Sequence, residues 1–162
     1  WDVSSEVSQK QTVQQLKNVV SLGYTLLLAG GWESGTLQDG FTYVIGGDLY
    51  NSARTGLTGT GAAAFTAAAV RVPKSGFIQS VVYQARMTTA GSGEPVAHVI
   101  RINDTTDVSS VNINYSSVKV VGSASNLNVA ITKGDLICLK VTAPTWVTNP
   151  VGVRWVCYVT IV

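Results

Sequence analysis

The C-terminal third of the chain, residues 127–162, constrains the fold most strongly. Three runs rich in β-branched and aromatic residues lie there, at 127–132, 136–141 and 151–162, and Gly, Asp and Pro separate them. This is the composition of β-strands joined by turns. The final run is apolar on both alternating faces: one face carries Val153, Trp155, Cys157, Val159 and Ile161, and the other carries Val156, Tyr158 and Val162. Such a strand is either central in a sandwich or covered by another subunit, which is a first indication of an oligomer.

Similar runs continue through most of the preceding chain. Seven further segments have strand composition and are separated by turn residues: 24–32, 41–45, 70–72, 77–87, 96–102, 108–114 and 118–121. The Pro and Gly residues at 73–76 predict a hairpin that joins 70–72 to 77–87. No helical pattern is visible after residue 23, so we predict roughly eight to ten strands in an all-β sandwich or jelly roll, and not an α/β enzyme fold.

Residues 1–22 differ from the rest because they are polar, rich in Gln and without Gly or Pro. Four of them follow the four-three-four spacing of a coiled-coil seam, namely Gln9, Val13, Leu16 and Val20. We predict that residues 1–22 are the end of a trimeric coiled-coil stalk and that residues 23–162 form the β head; the alternative is a surface helix packed on the head. Because the chain begins at Trp1 and not at Met, we expect it to be a piece of a longer protein.

Charged residues are sparse, at 12% of the chain, against roughly 25% in an ordinary soluble protein. Charge is depleted where a large part of the surface forms subunit contacts. The net charge is +2 and the basic residues are scattered, so we do not expect nucleic acid as a partner. No apolar run approaches the ~20 residues of a membrane-spanning helix.

The sequence shows no constellation of residues with catalytic or metal-binding spacing. Its one histidine, His98, lies in an apolar strand and is expected to be neutral and hydrogen-bonded in a core or interface. There is no Gly-x-Ser-x-Gly motif and no His/Cys/Asp/Glu cluster. We therefore expect no enzymatic activity, no metal and no cofactor.

Four arginines lie inside predicted strands: Arg71, Arg86, Arg101 and Arg154. An arginine in a strand must reach water, a carboxylate or a bound anion, because a buried unpaired charge is costly. In a trimer these arginines would converge at the subunit seams and hold a small anionic ligand. The alternative is that each extends its guanidinium to solvent at a sheet edge.

Two loops are candidates for surface contacts. The first contains Asp104, Thr105, Thr106 and Asp107, which would hold a cation or a sugar or would simply form a turn. The second contains Trp146 beside prolines, and Trp32 lies in a similar loop beside glycines. An exposed indole suits sugar stacking or envelope contact, whereas a buried one would cap the core.

The two cysteines, Cys138 and Cys157, lie one on each of the last two predicted strands. In a direct hairpin they would face each other and form a disulfide, whereas in a two-sheet sandwich they would be too far apart. We favour two buried thiols that act as small hydrophobic side chains.

As a whole, the chain resembles the trimeric jelly-roll heads of the tumour necrosis factor and complement-globular type. The resemblance lies in the order of parts: a short coiled-coil end, an all-β head, the Lys133-Gly134-Asp135-Leu136 turn, and the apolar final strand at 153–161. These last features look like the closing strands of such heads on viral fibres. Most narrowly, the chain is similar to the tail-needle knobs of short-tailed phages of enteric bacteria.

This resemblance implies a non-enzymatic homotrimer in the virion, at the distal tip of a needle that plugs the portal channel after genome packaging. The expected partner is the bacterial outer envelope, through lipopolysaccharide or an outer-membrane component. Three alternatives stay open: the glycan-binding head of a phage tail fibre, a glycan-active esterase or lyase, and a secreted complement-like head.

Overall fold

The computed structural model describes residues 23–47 and 62–162, without the side chains of residues 33, 34 and 62–64. The predicted stalk at 1–22, with Gln9, Val13, Leu16 and Val20, lies outside the described residues.

Nine strands and one short helix make up the described part of the chain. They are β1 (Tyr24–Thr36), β2 (Thr42–Ile45), α1 (Ala62–Ala68), β3 (Val70–Arg71), β4 (Gly76–Arg86), β5 (Pro95–Ile102), β6 (Thr106–Asn114), β7 (Lys119–Ile131), β8 (Leu136–Thr142) and β9 (Val151–Ile161). The prediction of an all-β fold is confirmed, and the number of strands falls within the predicted range.

The strands form two antiparallel sheets that enclose one main core, as in a β-sandwich. Sheet A has the order β1-β9-β4-β7, and sheet B has the order β2-β8-β5-β6, with β3 also paired to β8. Consecutive strands such as β4 and β5, or β8 and β9, therefore lie in opposite sheets. A chain that alternates between two layers in this way buries the inner face of each strand against the other layer.

Strand β9 follows the alternation predicted from its sequence. Val153, Trp155, Cys157, Val159 and Ile161 are all buried in the core between the sheets. Their neighbours on the opposite face point outward. The strand is central in sheet A, between β1 and β4, so its backbone is hydrogen-bonded on both sides.

The predicted hairpin across residues 73–76 is wrong. Strand β3 pairs with β8 in sheet B, while β4 pairs with β7 and β9 in sheet A. The turn residues do reverse the chain, but Val72 N–H donates to Asp135 O (2.8 Å), so the turn is tied to the neighbouring loop and leads into the other sheet. Turn chemistry fixes a local bend and not the strand that lies alongside.

Three other features also differ from the prediction. The segments 118–121 and 127–132, predicted as separate strands, belong to one continuous strand, β7. A helix, α1, occurs where none was predicted, and its Phe65 and Ala68 cover Val44 and Cys138 on the outer face of sheet B. The strand predicted at 24–32 continues to Thr36, so Trp32 lies inside β1 and not in the loop after it. A short helix can be stable here because its apolar side packs against the sheet, which periodicity within seven residues does not reveal.

The cysteines lie in opposite sheets and point in different directions. Cys138 on β8 faces α1, and Cys157 on β9 faces the core between the sheets. Both thiols are free and fully buried. The expectation of two buried hydrophobic thiols is confirmed.

Candidate functional site: an uncharged sheet face and a loop-built end

The outer face of sheet A carries an exposed, largely apolar surface. Leu27 pairs with Tyr158, and Tyr158 pairs with Val82, so the three side chains form one row across β1, β9 and β4. Their exposed fractions are 48%, 45% and 39%. Further exposed apolar side chains lie along the same face, namely Phe77, Val121 and Val162. Between them lie Ser, Thr, Ala, Gln and Val residues, and none of the side chains that the structure describes there is charged. We call this surface the sheet-A face.

The outer face of sheet B has the opposite character. Lys140 Nζ lies 2.7 Å from Asp107 Oδ2, and Arg101 Nη1 lies 2.6 Å from Asp107 Oδ1. Arg101 Nε also contacts Asp104 Oδ1 at 3.0 Å. Helix α1 covers another part of this outer face. Sheet B therefore presents ion pairs and a covering helix, which makes the sheet-A face the more apolar of the two exposed surfaces.

The candidate arginines do not gather at one point in the single chain. Arg71 is at the end of β3 and donates from Nη1 to Gly134 O (2.9 Å). Arg101 is held by Asp107 and Asp104, and these hydrogen bonds raise the pKa of its guanidinium. Arg86 and Arg154, by contrast, are register partners on β4 and β9.

Arg86 and Arg154 border the sheet-A face. Arg86 also pairs with Lys119 on β7, so three cationic side chains lie in one row across the sheet. The two arginines line a shallow depression of about 200 Å³ together with Met87, Thr88 and Gly152.

The loop with Asp104, Thr105, Thr106 and Asp107 uses its carboxylates internally. Both aspartates bind Arg101. The pKa of Asp107 is lowered: partial burial opposes this change, but the hydrogen bonds from Lys140 and Arg101 outweigh it. The two threonines are exposed. The loop is therefore a tied turn whose acidic groups are already paired, and it leaves hydroxyl groups at the surface.

Trp146 belongs to the core and not to a contact surface. Its ring is 6% exposed and lies 5.9 Å from the ring of Tyr115, centroid to centroid. Of the two readings of its sequence, this burial fits the one in which the indole caps the core. Its Nε1 has no hydrogen-bond partner among the described residues.

The loops divide between two ends of the molecule. Strand β1 begins and β9 finishes at the end that we call the entry end, since Tyr24 pairs with Ile161. The Tyr24 hydroxyl donates to Lys74 O there, and the 103–105 and 132–135 loops meet through Asn103 and Asp135. The opposite or distal end consists of the loops at 37–41, 87–94, 115–118 and 143–150. The Asp104–Asp107 loop is thus at the entry end, and Trp146 is at the distal end.

Sequence reasoning missed a cleft at the distal end beside Trp32. It has a volume of about 680 Å³ and is lined mainly by β1 and the loop that follows, with Phe41 and Asn149 at its margin. The available signal was an aromatic residue followed closely by Gly35, Gln38, Asp39 and Phe41. The glycines beside Trp32 predict a loop, so the sequence alone does not show that these side chains share one surface.

The core contains a buried polar group of residues centred on Tyr115. Its hydroxyl oxygen lies 2.8 Å from His98 Nε2 and accepts a hydrogen bond from Trp155 Nε1 at 2.6 Å. His98 Nδ1 lies 3.0 Å from Val96 O. Burial lowers the pKa of His98 to about 4, so the ring is neutral at pH 7, as expected from the sequence.

No protein-family model and no curated protein sequence matches this chain. Within the described ranges, no helix is long and apolar enough to cross a membrane.

Proposed function

We propose that this protein is a non-enzymatic homotrimeric knob at the distal tip of a phage tail needle or fibre. In this role it belongs to the portal plug of the virion and contacts or penetrates the bacterial outer envelope during genome delivery. The observation that carries the proposal is the exposed, uncharged sheet-A face, which has the composition of a subunit interface.

The strand order supports a jelly roll of the tumour necrosis factor type as the fold of this knob. Without the short β3, each sheet has four strands, in the orders β1-β9-β4-β7 and β2-β8-β5-β6. Two layers of four antiparallel strands with such crossovers are the arrangement expected of a jelly roll. The first and last strands are neighbours in sheet A, which fits a head whose final strand is central.

The character of the sheet-A face supports self-association in particular. Tyr158 is in the middle of the face, flanked by Leu27 on β1 and Val82 on β4. An aromatic ring surrounded by aliphatic and small hydroxyl side chains is typical of the centre of a protein interface. A flat apolar surface of this kind would otherwise attract unrelated proteins, and a symmetric oligomer buries it.

The position of the two ends supports an orientation for the knob. If residues 1–22 form a stalk, the stalk joins the head at Tyr24, at the entry end. Strand β1 then runs across the head to Thr36, over roughly 40 Å for an extended strand. The distal loops would therefore meet the lipopolysaccharide or outer-membrane component first. The row with Arg86 and Arg154 adjoins the proposed interface and is where a small anionic ligand would bind.

The oligomeric state tests this proposal directly. We expect light scattering to give three times the 17.0 kDa mass of one chain. Tyr158→Arg should dissociate the oligomer, because it introduces a charge at the centre of an apolar contact. Val147→Arg is the matched control, since Val147 is 88% exposed in a distal loop and away from the sheet-A face. A monomeric wild-type protein, or a Tyr158→Arg variant that stays trimeric, would contradict the assigned interface.

A second function, the glycan-binding head of a tail fibre, is favoured by one observation, the aromatic cleft beside Trp32. It differs from the needle knob in requiring a saturable saccharide site.

A further inference from the structure

The distal cleft combines aromatic rings with polar side chains. The ring of Trp32 is half-buried and leans on Tyr43, with 6.4 Å between the ring centroids. Phe41 is 37% exposed on the same cleft. Gly35 lies close beneath the indole, because a Cβ atom added to it would be 2.1 Å from Trp32 Nε1. The absence of a side chain at this glycine therefore allows the indole to lie against the backbone.

The polar side of the cleft is held in place by hydrogen bonds. Asp39 Oδ1 accepts from the Trp146 backbone N–H (3.2 Å) and from Asn149 Nδ2 (2.8 Å). Asn149 Nδ2 also donates to Leu37 O at 2.7 Å. Asp39 Oδ2 and Asn149 Oδ1 have no hydrogen-bond partner among the described residues, so two acceptors on a fixed scaffold remain for a ligand.

The loop between β1 and β2 is fixed at several points. Leu37 N–H donates to Pro150 O (3.0 Å), Gly40 N–H donates to Pro144 O (3.1 Å), and Gln38 N–H donates to the Tyr43 hydroxyl (3.0 Å). Gly40 has a φ of +69°, in the left-handed region that suits glycine. The cleft is thus formed in advance, which reduces the entropy lost when a ligand binds.

This set of groups matches the chemistry of a sugar ring. A pyranose has a face of C–H groups, which packs on an aromatic ring, and a rim of hydroxyls, which donate to carboxylate and amide oxygens. The described lining contains one carboxylate, that of Asp39, and no Lys, Arg or His. It therefore disfavours anionic sugars and phosphate groups. The cleft is broad and open to solvent, with a volume of about 680 Å³, so one face of a short oligosaccharide can lie across it.

We propose that the cleft formed by Trp32, Gln38, Asp39, Phe41 and Asn149 binds a neutral saccharide. The site lies within one chain, so it does not need the trimer, and only its biological role, contact with envelope glycan, rests on the proposed function. In this proposal the sugar ring stacks on the indole of Trp32, and Phe41 lies at the outer edge of the bound sugar. The side-chain oxygens of Asp39 and Asn149 accept hydrogen bonds from the hydroxyl groups of the sugar.

Binding is tested with the intact chain and a panel of neutral probes. The probes are methyl glycosides, neutral oligosaccharides and purified neutral O-polysaccharide, with polysialic acid as an anionic comparison. Saturation-transfer NMR detects contact, and tryptophan fluorescence follows the titration. We expect a neutral saccharide to bind, and Phe41→Ala to weaken its affinity about tenfold, the effect of losing one aromatic contact. Gln38→Ala should also weaken binding, because it removes an exposed amide side chain that lines the cleft.

The controls separate binding from folding and from assembly. Trp32 packs on the core, so replacing it would also disturb the fold. Phe41 and Gln38 are exposed, so their replacement should change the cleft and leave the fold intact. Val147→Ala is the matched control, at an exposed position at the same end of the molecule. Unchanged affinity in both cleft variants, binding of polysialic acid alone, or no bound saccharide would overturn the proposal. Light scattering on the same samples keeps the two proposals apart. A trimer that binds no saccharide refutes only the cleft, and a monomer that binds one refutes only the trimer.

Discussion

Replacing Tyr115 with Phe removes one oxygen atom on which two buried groups depend. Val96 O can only accept, so His98 Nδ1 carries the ring proton and Nε2 is the acceptor. The Tyr115 hydroxyl therefore donates to His98 Nε2 (2.8 Å) while accepting from Trp155 Nε1–H (2.6 Å). The side chains of His98 and Tyr115 are fully buried, and Trp155 is 2% exposed, so water does not replace the hydroxyl without a rearrangement of the core.

The size of the effect follows from the two groups left without a partner. Each buried unsatisfied donor or acceptor costs about 1–3 kcal/mol. The ring itself remains in Tyr115→Phe, so the cavity contribution is small. We expect the free energy of unfolding to fall by about 2–6 kcal/mol, which is a large fraction of the ~5–15 kcal/mol of a typical domain.

Urea unfolding at pH 7 measures this change, at one fixed protein concentration because an oligomer's stability depends on concentration. Tyr83→Phe is the matched control. Its hydroxyl lies 2.9 Å from Ser109 Oγ, and Ser109 is only half-buried, so water can satisfy that serine. The control should lose about 1 kcal/mol. If Tyr115→Phe loses no more than Tyr83→Phe, the reasoning that Tyr115 satisfies two buried groups is refuted.

Two further predictions concern protons and thiols. Burial lowers the pKa of His98 from 6.5 to about 4, so as the pH falls the histidine is protonated in the unfolded state before it is protonated in the folded state. The free energy of unfolding should therefore decrease as the pH drops from 6.5 towards 4, by at most ~1.4 kcal/mol per pH unit. His98→Gln should abolish this slope in pH-dependent urea unfolding, and a slope that persists would assign it to other groups. Burial also raises the pKa of Cys138, to about 12, and the pKa of Cys157. A thiol reagent should therefore leave both cysteines of the folded protein unmodified and react with both once the protein is denatured, with no reductant added. Fewer than two thiols in the denatured protein would indicate a disulfide.

Much of the fold was predictable from local pattern. The period of two in residues 153–161 identified which side chains of β9 face the core, and the buried set agrees residue by residue. The turn residues located most strand boundaries to within a few positions. A buried neutral His98 and two unpaired thiols were also predictable, because a lone polar residue in an apolar strand has few other stable arrangements.

The candidate sites were less predictable, because they depend on which strands are neighbours. Arg86 and Arg154 are far apart in sequence and became adjacent only through the pairing of β4 with β9. The predicted contact loop with Asp104 and Asp107 proved to be tied by Arg101 and Lys140, and Lys140 comes from another strand. The cleft beside Trp32 required the 37–41 and 143–150 loops to meet at one end.

The sequence by itself determined most strands, their buried faces and the sparse charge of the chain, because alternation and composition act within one strand or one turn. Only the tertiary structure showed that β3 and β4 do not form a hairpin and that Cys138 and Cys157 lie in opposite sheets. It also brought Leu27, Tyr158 and Val82 into one row. The physical reason is that a strand's pattern specifies which face is buried and leaves its partner open. That partner is selected by the packing of the whole core, to which distant segments contribute together.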